Sequence, residues 1–171
     1  MADDSLFVYV ATYNNVDEAG LDYDSVQQLY KDGVLGVYDA AVISKDTDGV
    51  HVSQREKPAE YGAWTGLAAG ALIALFFPAY LIAELVVGVG TGALIGHLWG
   101  GMSRSDMKKI GTMLNTGSAA LVVIAKGRVK QPLDKAIKHA NEQFEAEMTA
   151  DTKAIEKALD EAENKMNQAS V

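Results

Sequence analysis

The chain has 171 residues, no cysteine and a formal net charge of −8, and these values already exclude several classes of site. Without cysteine the chain can form neither disulfides nor thiolate-metal sites. Residues 1–50 contain ten acidic and two basic side chains. The phosphate backbone of nucleic acid is anionic and binds cationic surfaces, so nucleic acid is excluded as a partner of this N-terminal part. At this length we expect one domain with an appendage.

The N-terminal part predicts a strand followed by an amphipathic helix. Residues 6–12, with the sequence LFVYVAT, are apolar on both faces, which is typical of a buried strand. Asn14 or Asn15 can cap the helix that follows, and Gly33 can end it in the left-handed conformation. The apolar stripe of this helix recurs at steps of three and four, at Val16, Ala19, Tyr23, Val26 and Tyr30.

A β-hairpin is predicted downstream of this helix. Residues 37–44 and 50–55 are two strand candidates, and the Asp-Gly sequence between them is a strong turn signal. The DTDG run at 46–49 contains oxygen ligands that calcium prefers, but a calcium loop requires further ligands that end in a bidentate acid. The next acid is Glu56, which belongs to the strand run, so we interpret the segment as a plain turn.

The stretch 61–99 is strongly apolar and contains one charged side chain, Glu84. Its glycines form two rows with a spacing of four, so each row lies on one face of a helix. A glycine in a helix interior costs roughly 1 kcal/mol relative to alanine, and the usual compensation is very close approach of a second helix. We therefore predict a glycine-zipper hairpin of two apolar helices. The row glycines are Gly62, Gly66 and Gly70, then Gly88, Gly92, Gly96 and Gly100.

The connection between these two predicted helices is apolar and aromatic. It is formed by Phe76, Phe77, Pro78 and Tyr80, whereas a loop that faces water would carry polar turn residues. We expect this tip to contact lipid or the middle of an oligomer. An alternative is the buried core of an ordinary soluble protein, because the halves span roughly 24 to 33 Å and one of them is short for a bilayer.

Glu84 lies on the second glycine row, four residues before Gly88. An acid inside a membrane segment is a functional hypothesis by default, and a ring of identical hairpins would bring such acids together as an ion-selective ring. A structural interpretation is equally open to test. If a helix restarts after Pro78, Glu84 falls in its early turns, where the helix dipole favours an acid.

A helix and a strand are predicted after the apolar stretch. Ser103 or Ser105 can cap a helix from Asp106 to Leu114, and residues 118–125 are a strand candidate that is apolar on both faces. The order of elements gives the fold class α+β, with a ferredoxin-like βαββαβ sheet and the apolar hairpin inserted in it. Such a sheet carries helices on one face, so the hairpin, the C-terminal segment or a second subunit must cover the other.

Residues 129–169 predict a long amphipathic helix, or two helices broken near 149–152. Their near-heptad spacing suggests either a coiled-coil seam or a helix that folds back onto its own domain. The apolar positions are Leu133, Ile137, Ala140, Phe144, Met148, Ile155, Leu159, Ala162, Met166 and Ala169.

Several runs of this sequence together resemble a known family. They are FVYVATYNN at 7–15, DAAVISKDTDG with VHVSQ at 39–54, the glycine-row stretch, and LNTGSAALVVIA at 114–125. Over residues 6–125 the chain is similar to domain of unknown function 1269, a group of bacterial and archaeal proteins. The resemblance implies a fold and a membrane tendency, with no catalytic residues to transfer. The helical tail after Arg128 departs from this layout and suggests added self-association.

The chemical motifs of the chain do not combine into a catalytic or cofactor site. Residues 88–93 contain GxGxxA, but the glycines continue at steps of four, which a phosphate loop does not require. His51, His97 and His139 fall in three different elements without metal-ligand spacing. No Gly-x-Ser-x-Gly elbow occurs. We therefore expect no enzyme activity, no cofactor and no metal.

The sequence thus predicts a non-enzymatic homo-oligomer whose hairpins pack together in lipid or in an oligomer core. Its expected partners are copies of itself and membrane lipid. Two alternatives are a soluble module that binds a small hydrophobic ligand and an ion-conducting ring lined by Glu84. Basic residues flank the apolar stretch, so we expect the cytoplasmic side of the membrane, or the cytoplasm for a large oligomer. The predicted units are an α+β domain at 1–57 and 103–127, the hairpin at 58–102, and a helical extension at 128–171.

Overall fold

The structure is a computed structural model whose described residues are 6–36, 38–55, 102–148 and 157. Across them the chain is α+β, with five strands in one antiparallel sheet and three helices. The hairpin predicted at 58–102 lies outside these residues, apart from Met102. In chain order the elements are β1 Leu6–Tyr13, α1 Val16–Lys31, β2 Tyr38–Asp46, β3 Gly49–Arg55, α2 Arg104–Thr116, β4 Ala119–Lys126, α3 Lys130–Ala136 and β5 Glu142–Met148.

The strand order across the sheet is β3-β2-β4-β1-β5, and every neighbouring pair is antiparallel. β4 lies at the centre and pairs with β1 along its whole length, from Lys126 opposite Leu6 to Ala119 opposite Tyr13. β2 flanks the other side of β4, so β1 and β2 run in the same direction with β4 between them. The two strands predicted to be apolar on both faces are therefore neighbours in the interior of the sheet.

The two faces of the sheet bury different side chains because successive residues of a strand point to opposite sides. Tyr9 of β1 and Leu121 of β4 belong to the core that contains α1 and α3. Val8 and Val10 point the other way, to the face on which α2 packs against β1 and β5. The ferredoxin-like prediction expected both helices on one face. Instead α2 covers part of the second face, and its Ile110 is fully buried.

Local signals in the sequence place the ends of the elements correctly. The Asn15 side chain accepts a hydrogen bond of 2.9 Å from the Glu18 amide and caps α1. Gly33 has a φ of 76°, the left-handed conformation that ends this helix. Ser103 caps α2 by accepting from the Asp106 amide. In the β2–β3 turn, Asp46 Oδ1 accepts from two amides of the turn itself, which is the plain turn that was predicted.

The long helix predicted over 129–169 is wrong for residues 137–148. Helix α3 ends at Ala136, and a strand follows at Glu142–Met148. The strand forms because the outer edge of β1 offers unpaired backbone groups, which β5 satisfies. The apolar pair Phe144 and Met148, four residues apart, fits the two-residue period of a strand as well as the helical one. Spacing alone could not separate the two.

Candidate functional site

The side chains that the sequence singles out for function lie outside the described residues. The two glycine rows, the aromatic tip and the acid between them therefore keep their predicted roles as predictions. These residues are Gly62, Gly66, Gly70, Gly88, Gly92, Gly96, Gly100, Phe76, Phe77, Pro78, Tyr80 and Glu84.

The described residues contain a cluster of polar side chains between the sheet and the α1–α3 layer, which we name the polar seam. Tyr9 and Tyr13 enter it from β1, because alternate residues of that strand face α1 and α3. Strand β5 adds Gln143 opposite Ala11 and Glu145 opposite Tyr9 on the same face. The members of the polar seam are Tyr9, Tyr13, Asp22, Asp134, His139, Gln143 and Glu145.

Asp22 of α1 is the most deeply buried charged residue of the seam, with 1% of its side chain exposed. Its carboxylate accepts hydrogen bonds from the amides of Lys138 at 3.1 Å and His139 at 3.0 Å. His139 Nδ1 lies 2.7 Å from Asp22 Oδ1 and donates a third. A buried carboxylate is costly unless donors replace its water. Three donors from the loop between α3 and β5 supply that replacement, so Asp22 clamps this loop onto α1.

Tyr9 connects β1 to α3 and β5. Its hydroxyl lies 2.8 Å from Asp134 Oδ1 and 2.6 Å from Gln143 Oε1. One phenolic proton serves one acceptor, so donation to Asp134 is compatible with a Gln143 amide turned to donate to the phenol oxygen. Burial, followed by the Asp134 carboxylate, raises the pKa of Tyr9 far above its usual range. The phenol therefore stays protonated and acts as a hydrogen-bond donor.

Asp134 and Glu145 respond to the same surroundings in opposite ways. Burial raises the pKa of Glu145, although the Val129 amide donates to its Oε2 at 3.3 Å. Burial also opposes ionisation of Asp134, but hydrogen bonds from Lys130 and Tyr9 hold the pKa of that carboxyl below its ordinary value. The ion pair with Lys130 is an i, i+4 contact within α3. Each acid has two hydrogen-bond donors, so the deeper burial of Glu145 is what separates the pKa values of the two.

Tyr13 is the unsatisfied member of the seam. Its side chain is buried, and its hydroxyl makes no hydrogen bond within the described part of the chain. Burial, with the Asp22 carboxylate nearby, raises the pKa of this phenol well above its usual range. A buried hydroxyl without a partner loses its hydrogen bonds to water and gains none within the protein. Tyr13 is thus a local cost inside an otherwise satisfied network.

The chemistry of the polar seam points to a structural role. Its phenols remain protonated, and its carboxylates are occupied by donors from loops and helices. Within residues 6–36, 38–55 and 102–148 no group of three His, Asp or Glu side chains is arranged to hold a metal ion. The seam therefore joins α1, α3 and β5 to β1, and it fixes how these elements meet.

The sequence contained a signal for the seam that the helical pattern concealed. Asp22 lies three residues after Ala19 and four before Val26, which places an acid on the apolar stripe of α1. An acid at such a position needs a partner from elsewhere in the fold. That partner, His139, is 117 residues away in sequence. Local periodicity cannot identify a pair at this separation.

A shallow groove of about 520 Å³ lies beside the seam, between the end of α1 and the exposed side of α3. We name it the α1–α3 groove. Its lining is mostly apolar, with two polar side chains at α3. The lining residues are Leu29, Val34, Gln131, Pro132, Lys135 and Ala136.

None of the helices in the described residues is long and apolar enough to cross a membrane. This result concerns α1, α2 and α3. The apolar stretch 61–99 lies outside the residues to which it applies.

Comparison with known proteins gives one family match. Residues 61–164, more than half of the chain, match the model described as Protein of unknown function (DUF1269). The match continues through α3 and β5, so the expectation that the chain departs from the family after Arg128 is wrong. No curated protein and no solved structure matches the chain.

Proposed function

The chain belongs to the DUF1269 family of proteins of unknown function, and from that premise we propose that it is a non-enzymatic, self-assembling protein associated with membrane lipid. In this proposal the α+β domain is a water-facing platform. The stretch 61–99 packs against copies of itself, either in lipid or in the core of a soluble assembly.

The observation that carries the proposal is the pair of glycine rows. Seven glycines form two rows with a spacing of four, six of them within the stretch 61–99 and Gly100 directly after it, and this stretch has a single charged residue, Glu84. Repeated glycine is unfavourable in a helix unless two backbones approach closely. The family match begins at residue 61, so it includes the whole apolar stretch. This stretch falls between β3 and α2, where it interrupts neither the strands nor the helices of the platform.

We also infer that the platform is ferredoxin-like, with β4 between β1 and β2, where β3 was expected, and β5 at the outer edge of β1, where β4 was expected. Taken alone, β2-β4-β1-β5 contains two interleaved βαβ units, β1-α1-β2 around β4 and β4-α3-β5 around β1. This interleaving is the ferredoxin-like pattern, and β3 is then an added edge strand. Short distances between the α-protons of Val10 and Phe144 in solution would support it. Their absence in the folded protein would contradict it.

The assembly is tested by weighing the particle with and without detergent after separating membranes from cytosol. We expect wild-type protein in carbonate-resistant membranes, or in a large particle that needs no detergent. Gly92→Leu and Gly96→Leu place a large side chain on the second glycine row, so we expect them to reduce the particle mass. Gly90→Leu is the matched control, because Gly90 is two residues from Gly88 and from Gly92 and, on the predicted helix, would face away from the row.

Two results would contradict the proposed function. One is a wild-type protein that is monomeric in buffer without detergent and absent from membranes. The other is an equal loss of particle mass in the Gly90 and Gly92 variants, since that would mean that added bulk, and not its position on the row, breaks the assembly.

A further inference from the structure

The α1–α3 groove has the shape of a docking strip for a helix. Val34 is 54% exposed at its rim, although it is apolar, and Leu29, Pro132 and Ala136 continue the apolar surface. A small-molecule site usually encloses 70–90% of its ligand, which a groove this open cannot do. A shallow apolar strip instead suits the apolar row of an amphipathic helix.

The chain after β5 emerges at the end of the sheet where this groove lies. Strand β5 ends at Met148, opposite Leu6 at the start of β1. Helix α1 ends at the same end of the sheet, because β2 follows it and begins opposite Ala125. Helix α3 begins there as well, directly after β4. The seven residues from 149 to 155 can span about 23 Å when extended, enough to pass from the edge strand to the helix layer.

Residues 155–169 carry the row that the groove requires. Ile155, Leu159, Ala162 and Met166 recur at steps of four and three, and so share one helix face. Lys157 is in α-helical conformation and its side chain is exposed. At two residues from Ile155 it falls on the opposite side of the helix from the apolar row. If the segment docks through its apolar row, the side of the helix that carries Lys157 stays exposed to solvent.

The charges of the two surfaces are also complementary. One flank of the apolar row carries Glu156, Asp160 and Glu163, each one residue after a row position. The groove is lined by Lys135, and the exposed Lys31 ends α1 next to it. Ion pairs at such a rim contribute little affinity, but they select one orientation of the helix.

We propose that residues 155–169 dock as a helix in the α1–α3 groove of their own chain, with the row from Ile155 to Met166 against Leu29 and Val34. The groove is then an internal joint that fastens the segment after β5 to the platform. This proposal does not depend on the function proposed for the stretch 61–99.

The absence of cysteine makes a cross-linking test specific. We would combine Val34→Cys with a second cysteine in the full-length protein and follow disulfide formation under mild oxidation. The second site is Leu159, Ala162 or Met166 on the row. The matched controls are Lys157 and Asn164, which lie between row positions and on the opposite face. The control positions lie among the row positions along the segment. The comparison therefore remains valid if the helix docks shifted along the groove.

We expect the fastest row pair to close about tenfold faster than either control pair, because a disulfide requires Cα atoms within roughly 7 Å. The product should run as a cross-linked monomer. Equal rates for row and control positions would overturn the proposal. A cross-linked dimer as the main product would also overturn it, because the segment would then occupy the groove of another copy.

Discussion

The two faces of the sheet are stabilised in different ways. The α2 face buries aliphatic side chains such as Val8, Val10 and Ile110. The face under α1 and α3 combines an apolar core with the polar seam, in which Asp22 and Tyr9 have specific partners. Apolar packing is non-directional and tolerates substitutions of similar volume. Hydrogen-bonded networks tolerate one arrangement, so the seam sets where α3 and β5 attach.

The largest effect is expected on the α2 face, where the buried side chains are apolar. Ile110→Ala removes a fully buried side chain, and we expect it to lower the free energy of unfolding by about 3 to 4 kcal/mol through lost burial and a residual cavity. Urea unfolding measures the change. Lys108→Ala, at an exposed position of the same helix, is the control and should change little. A loss below 1 kcal/mol for Ile110→Ala would mean that α2 is not fixed by packing.

The next effect is expected at the clamp in the polar seam. Asp22→Ala leaves the part-buried amides of Lys138 and His139 without their acceptor, and we expect a loss of about 1 to 3 kcal/mol in urea unfolding. Asp22→Asn keeps one acceptor oxygen and should lose less. Asp24→Ala, exposed on the same helix, is the control. If Asp22→Ala matches that control, the clamp contributes nothing to stability.

A smaller and more diagnostic contrast is expected between the two tyrosines. Tyr9→Phe removes a hydroxyl that donates to Asp134, and we expect a loss of about 1 kcal/mol. Tyr13→Phe removes a buried hydroxyl without a partner, so we expect no loss or a slight gain. The two substitutions are chemically identical and each serves as the control for the other. The opposite ranking would show that Tyr13 has a partner in solution.

The smallest expected effect is a pH dependence of the free energy of unfolding that arises from Glu145 in the polar seam. The pKa of Glu145 is raised in the folded state, so the folded protein binds this proton more tightly than the unfolded chain. The contribution of Glu145 to stability therefore falls as pH rises through the range above its unfolded pKa, and it is constant at higher pH. We expect Glu145→Gln to gain stability relative to wild type from pH 4 to pH 7, measured by urea unfolding. If the difference in unfolding free energy between Glu145→Gln and wild type does not change with pH, this prediction is wrong.

The sequence predicted the elements of the platform better than their arrangement. Strands β1 and β4 were predicted within one residue of their ends, because runs that are apolar on both faces have few alternatives. The caps at Asn15 and Ser103 depend on neighbouring residues and were confirmed as well. The position of α2 on the second face is a tertiary property, and no local pattern encodes it.

The errors concern segments whose structure depends on distant partners. Residues 142–148 have the spacing of a helix and form a strand because β1 has an open edge. Asp22 is an acid on an apolar stripe, and its partners become visible only when the loop before β5 is brought to α1. The site predicted from the glycine rows lies outside the described residues, so that prediction stands untested.

The pairing of β1 has a consequence for synthesis on the ribosome. Both neighbours of this strand, β4 and β5, are made more than a hundred residues after it. Throughout that interval the nascent chain carries an apolar strand with two unpaired edges, and the stretch 61–99 is produced before either neighbour exists. Contacts of such long range slow folding and leave time for aggregation. We therefore expect the N-terminal strand to need shielding by a chaperone until residue 148 has emerged.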